Sequence, residues 1–267
     1  MIPIYINILD SDSKDIFLVT EVANIMHRVL IIGYQRIGCQ VFGFHHGDDF
    51  SATILRQIHK VAMTHCRSIV VPSKGIADQY KKEYSDLELE IKTGTKYLPV
   101  SLSKHLYKEK LALNKPVKAV MLIGFPMSCS RMTDEAALFF YPRVNIEYDL
   151  LVLLKQMGLY VIYKAHPDRE NEVKGLFDVL VDEVVIDPFE KVYNKADAFI
   201  FTYTSTTTFP FSLSTNKKVI LIDIDKNPVN NQLRDDLSKR VCCVPARMDK
   251  DDTIIKFEKN KLKEFLV

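Results

Sequence analysis

The chain has 267 residues, 47% of them hydrophobic, and its 36 Lys plus Arg nearly balance 34 Asp plus Glu. That balance gives no warrant for the broad basic surface of a nucleic-acid binder or for a polybasic membrane anchor, and leaves only local patches. The longest apolar runs, near 117–127 and 219–224, fall far short of the ~20 residues a membrane-spanning helix needs, and the opening residues lack a basic n-region and a small-residue cleavage site.

In chain order, the first part reads as helix 21–34, strand 39–44, helix 53–66, strand 68–71, helix 74–84 and strand 87–92. Residues 103–116, with Lys104, Lys108, Lys110, Lys115 and Pro116, have the composition of a solvated linker. This places a domain boundary there, with domains at 1–114 and 115–267. Three or four strands are few for one half of a two-domain α/β enzyme. The expectation is therefore an amino-terminally truncated member of a larger family, with a minimal version as the alternative.

Beyond the linker, strand patterns at 118–124, 160–163, 184–186, 198–202, 219–223 and 241–244 alternate with helical stretches. Ile146, Leu150, Leu154 and Met157 recur near helical spacing, and Gly158 stands where a helix ends. Strand then helix, repeated, predicts a doubly wound parallel sheet. The five cysteines (Cys39, Cys66, Cys129, Cys242, Cys243) are odd in number and show no C-x-x-C spacing. They read as buried, inert thiols in a reduced compartment.

Two loops carry the chemistry. Lys164-Ala165-His166-Pro167 follows a short strand, and the proline fixes an extended conformation at His166 that can aim its imidazole beyond the strand end. The run 202–208 places five Thr, one Ser and one Tyr ahead of Phe209. In an open α/β sheet both loops face the ligand crevice, where a cation, an imidazole and hydroxyls suit a phosphate or diphosphate. The candidate phosphate ligands are Lys164, His166, Ser205 and Thr206. The plainer alternative is that His166 and the hydroxyls cap local backbone and Lys164 is solvated.

Asp187-Pro188 reads as a cap with proline at the first helical position, leaving Glu190 as the candidate for a ribose or base contact. In the first domain, His45-His46-Gly47-Asp48-Asp49 follows a strand, and an imidazole beside carboxylates at a tight turn suits a general base. His59 and His65 are not at i, i+4, no ligand set completes itself, and no metal is expected.

On these residues the carboxyl-terminal half, over 117–225, resembles the nucleotide-binding domain of GT-B transferases that build bacterial surface polymers. Those are the CDP-glycerol glycerophosphotransferases, bacterial polysialyltransferases and capsule Kdo transferases. The shared pattern is a strand ending in His-Pro, then an aspartate-led strand running into a Ser/Thr pair, helix and strand. Here it reads Tyr163-Lys164-Ala165-His166-Pro167, Asp197 through Ser205-Thr206, and Lys218-Val219-Ile220-Leu221-Ile222. The resemblance implies that His166, Ser205 and Thr206 bind the phosphates of a cytidine nucleotide donor. His46-Gly47 corresponds to a His-Gly motif whose histidine acts in catalysis, although the Trp that usually precedes it is absent from this chain.

The resulting expectation is an α/β protein with two Rossmann-like domains of GT-B type, the first small or incomplete, the second a doubly wound parallel sheet. It is read as a transferase moving a glycosyl or glycerol-phosphate group from a nucleotide-activated donor to a surface-polysaccharide or lipid-linked acceptor in the cleft between the domains. His46, with Asp48 as alternate, takes the acceptor proton. No cofactor, metal or nucleic acid is expected, and the location is cytoplasmic, with at most peripheral contact at the inner face of the membrane. The rival readings are a GT-B-like sugar-nucleotide epimerase and a non-catalytic nucleotide-binding fragment.

Overall fold

The computed structural model describes residues 16–19, 25–44, 66–71, 74–85, 95–99, 116–125, 140–165, 171, 175–204, 206–224, 231–251 and 253–267. The chain divides into two compact units, Met1–Lys104 and His105–Val267.

In the first unit, strands β1 (Ile16–Val19), β2 (Gln40–Phe44), β3 (Ser68–Val71) and β4 (Lys96–Pro99) form a parallel sheet in sequence order. Helices α1 (Ile25–Arg36) and α2 (Lys74–Ser85) supply Ile31, Ala77 and Tyr80 to a core closed by Val41, Cys66, Ile69, Val71 and Tyr97 from the strands and their approaches. Parallel pairing forces such crossovers, so the sheet presents a buried face to helices. The strand expected at 87–92 and the helix at 53–66 lie outside the described residues, apart from Cys66, which stands buried just before β3. β1 and β4 are unanticipated. A four-residue apolar run such as Ile16-Phe17-Leu18-Val19 carries no periodicity of its own, and Pro99 in β4 is tolerated because that strand lies at the sheet edge.

The second unit holds β5 (Ala119–Ile123), α3 (Phe140–Gln156), β6 (Tyr160–Lys164), β7 (Glu183–Val185), α4 (Phe189–Val192), β8 (Ala198–Phe201), α5 (Thr208–Leu213), β9 (Lys218–Ile224), α6 (Asn231–Arg240), β10 (Cys242–Met248), β11 (Ile255–Phe257) and α7 (Lys259–Leu266). The strand order is β11-β10-β9-β8-β5-β6-β7, parallel except for the β10–β11 hairpin pair. The chain runs outward from β5 through β6 to β7, returns to the other flank of β5 with β8, and runs outward again. That reversal is the doubly wound order, with its topological switch point between β5 and β8.

One face of this sheet packs Val120, Leu122, Val161, Ala198, Ile200, Ile220, Ile222 and Val244 against Ile146, Leu150 and Leu154 of α3 and Leu262 and Leu266 of α7. On the other, Phe199 meets Phe189 edge-on at 5.0 Å and Phe201 meets Phe209 at 5.1 Å. Helix α3 ends where the glycine predicts: Gly158 has φ 73°, its N–H bonds the Lys155 carbonyl at 2.9 Å, and the Leu159 N–H reaches back to Leu154 at 3.3 Å. This is a Schellman closure, and it needs a residue free of the Cβ penalty.

The amino ends of the central strands are clamped by aspartates. Asp197, just ahead of β8, accepts the N–H groups of Lys118 and Ala119 at 3.0 Å each. Asp182, just ahead of β7, accepts the Val161 N–H at 2.7 Å and the Lys155 ammonium at 2.7 Å. The Lys155 bond, followed by the Val161 N–H, holds the Asp182 carboxyl below its ordinary range.

Candidate functional site at the switch point

The carboxyl ends of β5 and β8 place Gly124, Phe125, Thr202, Tyr203 and Thr204 side by side. Helix α3, which returns from β5 to β6, lays two charged side chains beneath them, Arg143 at 2% exposure and Glu147 at 0%. At i, i+4 they occupy the helix face that also carries the apolar stripe.

Arg143 binds the β8 side. Its Nη1 donates to the Thr202 carbonyl at 2.7 Å, and its guanidinium carbon lies 4.2 Å from the centre of the Phe125 ring. Burial pulls the guanidinium down to about 10, against the charges of Glu147 and Tyr203, so it remains a cation at neutral pH. Arg143 Nε, Thr202 Oγ1 and Thr204 Oγ1 are buried with no hydrogen-bond partner among the described residues.

Glu147 binds the β5 and β6 side. Oε1 accepts the Phe125 N–H at 2.7 Å and Oε2 accepts the Tyr163 hydroxyl at 2.7 Å. Burial pushes its carboxyl up to about 7, with the Phe125 N–H, the Tyr163 hydroxyl and the Arg143 charge opposing. Tyr163 lies so close to Gly124 that a Cβ there would stand 2.3 Å from its hydroxyl. Tyr203 completes the ring of contacts, donating to the Gly124 carbonyl at 3.2 Å and meeting Phe125 edge-on at 5.0 Å.

Of the residues expected from sequence, Lys164 ends β6 and is buried, its ammonium donating to the carbonyls of Ala165 and, at 3.4 Å, Ile186. Burial lowers the Lys164 amine, while Asp187 and Glu190 pull it back up. Glu190 is exposed on α4. The α4 start differs from expectation: Pro188 takes the N-cap position, with φ −48° and ψ 137°, and no side chain caps the helix, because the proline ring carries no acceptor. Thr206 is half-buried, and its Oγ1 accepts the Thr208 N–H at 3.3 Å, a local turn rather than a cap from the Thr207 N-cap side chain. His166 and Ser205 lie outside the described residues, as do His46 and Asp48.

Cys39 and Cys66 are buried and Cys242 and Cys243 half-buried. Burial pushes Cys66, Cys242 and Cys243 above the ordinary thiol range, which makes them poor nucleophiles at neutral pH. Among the described residues no group of three or more His, Cys, Asp or Glu is placed to hold a metal ion, and no helix is long and apolar enough to cross a membrane.

The chain matches no protein-family model and no curated protein. Among solved structures, α,α-trehalose 6-phosphate synthase from Burkholderia multivorans is 8% identical over 99% of this chain and 65% of that one, with a TM-score of 0.48. The structure of MT0777 is 16% identical over 55% of this chain and 93% of that one, with a TM-score of 0.35. The chain thus spans 65% of the synthase's length.

Proposed function

We propose that the chain is a GT-B-type transferase whose second unit binds a nucleotide-activated sugar or polyol donor at the switch point of its sheet. The observation that carries this reading is the buried polar cluster of Arg143, Glu147, Thr202 and Thr204 at the carboxyl ends of β5 and β8, where doubly wound sheets bind nucleotides. An apolar core has no use for a cation and unpartnered hydroxyls at that place.

In this reading Lys164, His166, Ser205 and Thr206 contact the donor phosphates, and Glu190 the ribose or base. The acceptor hydroxyl, on a surface polysaccharide or a lipid-linked precursor, gives its proton to His46, with Asp48 as the alternate base. Its oxygen forms a bond to the transferred glycosyl carbon or glycerol-bearing phosphorus, and the bond to the nucleotide phosphate breaks with the electron pair going to phosphate oxygen. Fixed cations and N–H dipoles facing that oxygen supply the main stabilisation. Cytoplasmic action with peripheral contact at the inner face of the membrane is all the location this chemistry requires.

Calorimetric titration with CMP, CDP, UDP and GDP tests the donor site. The expected result is selective cytidine-nucleotide binding that weakens at least tenfold in His166→Ala, about 1.4 kcal/mol. Absence of binding by all four overturns the reading. His46→Ala is expected to keep nucleotide affinity and abolish transfer, and retained transfer removes His46 from the base role.

A further inference from the structure

We propose that anion binding at this crevice is linked to proton uptake: Arg143 supplies the buried cation at the switch point, and Glu147 is the counter-charge that a proton removes when the anion arrives. The inference rests on the nucleotide reading of the same crevice and adds its regulation.

The geometry places the pair for this. Arg143 touches the first residue beyond β8 through the Thr202 carbonyl and the second beyond β5 through the Phe125 ring, so its charge lies across the switch point itself. Its Nε and the hydroxyls of Thr202 and Thr204 supply donors without partners among the described residues. One helical turn away, Glu147 is fully buried, and its charge bears on Arg143. While Glu147 is ionised it neutralises the cation an incoming anion would meet. Once it is protonated, Arg143 stands uncompensated in a low-dielectric setting and attracts the anion more strongly.

Among the described residues, few other groups bear on the charge of Glu147. On α3 itself Arg143 is the charged neighbour, and from β6 Tyr163 bonds it. Lys164, the next residue of β6, points to the opposite face of the sheet. Among the described residues, the segment after β5 brings the Phe125 N–H. β11 presents Ile255 and Phe257 to the same core with Lys256 exposed between them, and Tyr203 bears on Arg143 from beyond β8. On protonation Oε1 keeps the Phe125 N–H, and at Oε2 the Tyr163 hydroxyl hydrogen turns away so that its oxygen accepts the new acid O–H. The proton comes from solvent, and an O–H bond on Glu147 is the only covalent bond formed. A carboxyl titrating near about 7 makes the exchange available at neutral pH.

Linkage makes the effect reciprocal, so anion binding raises the proton affinity of Glu147 by the factor that protonation raises anion affinity. The test is calorimetric titration of the full chain with CDP, UDP and inorganic pyrophosphate near neutral pH, in two buffers of different ionisation enthalpy. Wild type and Glu147→Gln are compared, so that the ligand's own ionisation cancels. The wild type is expected to take up roughly half a proton more than the variant, and to bind roughly tenfold more tightly at about pH 6 than at about pH 8 relative to the variant. Equal uptake by the two proteins, with binding retained, overturns the coupling and leaves the nucleotide site standing. No binding of any probe to the wild type overturns both. The wild type alone gives a second reading that does not depend on the variant's folding: the Glu147 carboxyl carbon, followed by NMR, is expected to titrate near neutrality and to shift upward on adding CDP. A midpoint unmoved by saturating ligand overturns the coupling.

Discussion

The hydroxyl of Tyr163 donates a 2.7 Å hydrogen bond to Oε2 of Glu147, with both side chains all but inaccessible to solvent. This one contact joins the end of β6 to α3, while the other oxygen of the same carboxylate joins α3 to the end of β5. Arg143 adds β8 through Thr202. Three strands at the switch point thus register against a single helix through two side chains. Removing either partner of such a buried pair leaves the other unsatisfied, a larger loss than the net value of the bond.

Gly124 is the position where this arrangement tolerates least. The Tyr163 ring lies where a side chain would begin, its hydroxyl 2.3 Å from a Cβ at Gly124, and Tyr163 is itself hemmed by Phe177 at 5.0 Å between ring centres. Gly124→Ala should displace Tyr163 from Glu147 and destabilise the fold by about 1–3 kcal/mol, the range for overpacking a filled core. Urea denaturation reads this as a lowered midpoint at unchanged slope. An unmoved midpoint would mean that Tyr163 has room to retreat.

Glu147 also sets a pH dependence of stability. Burial pushes its carboxyl from the usual 4.5 up to about 7, so the folded chain holds a proton over a range where the unfolded chain has released it. The contribution to stability is full below about 4.5 and is lost as pH rises through about 7, amounting to about 3 kcal/mol at most. Arg143, near about 10, keeps its charge throughout that window. Denaturation midpoints across the window should fall with rising pH in the wild type more steeply than in Glu147→Gln. Parallel profiles would show that Glu147 does not change protonation there.

At the opposite end of the sheet, Asp197 holds the first N–H groups of the β5 approach. Asp197→Ala should cost about 1–2 kcal/mol for two lost hydrogen bonds and leave nucleotide affinity unchanged, since ligands occupy the carboxyl ends of the strands. A matching loss of affinity at constant stability would give Asp197 a part in binding.

The alternation of strand and helix in the second unit was legible because each core strand is a short apolar run bounded by turn residues, and because Gly158 marks the end of α3 by its own conformational freedom. The antiparallel β11 was not, since Ile255-Lys256-Phe257 is short and interrupted by a lysine, so it offers no apolar run. Lys164 was legible as a residue at a strand end, although it closes β6 rather than opening the loop after it, and Thr206 as a residue of the loop beyond β8. Arg143 and Glu147 were not, although they fall on the stripe of Ile146, Leu150 and Leu154. A charged i, i+4 pair on an apolar helix face is the signal that marks them, since burying charge is tolerated only with partners. Those partners, Phe125, Tyr163 and Thr202, come from three separate strand ends, and no local pattern brings them together.

Lys164 combines two duties that a substitution can separate. Its ammonium ties Ala165 to Ile186 and so joins the carboxyl ends of β6 and β7, under the influence of Asp187 and Glu190. An ammonium carries three N–H donors, and two are occupied by those carbonyls, leaving one for a donor phosphate. Lys164→Met keeps the stem and removes the head. It should lower the denaturation midpoint, because two carbonyls lose a donor, and weaken nucleotide binding about tenfold, the scale of one charge-assisted bond. If stability falls while affinity holds, the residue is a clamp between two strands, and the phosphate contacts belong to the hydroxyl loop and to Arg143.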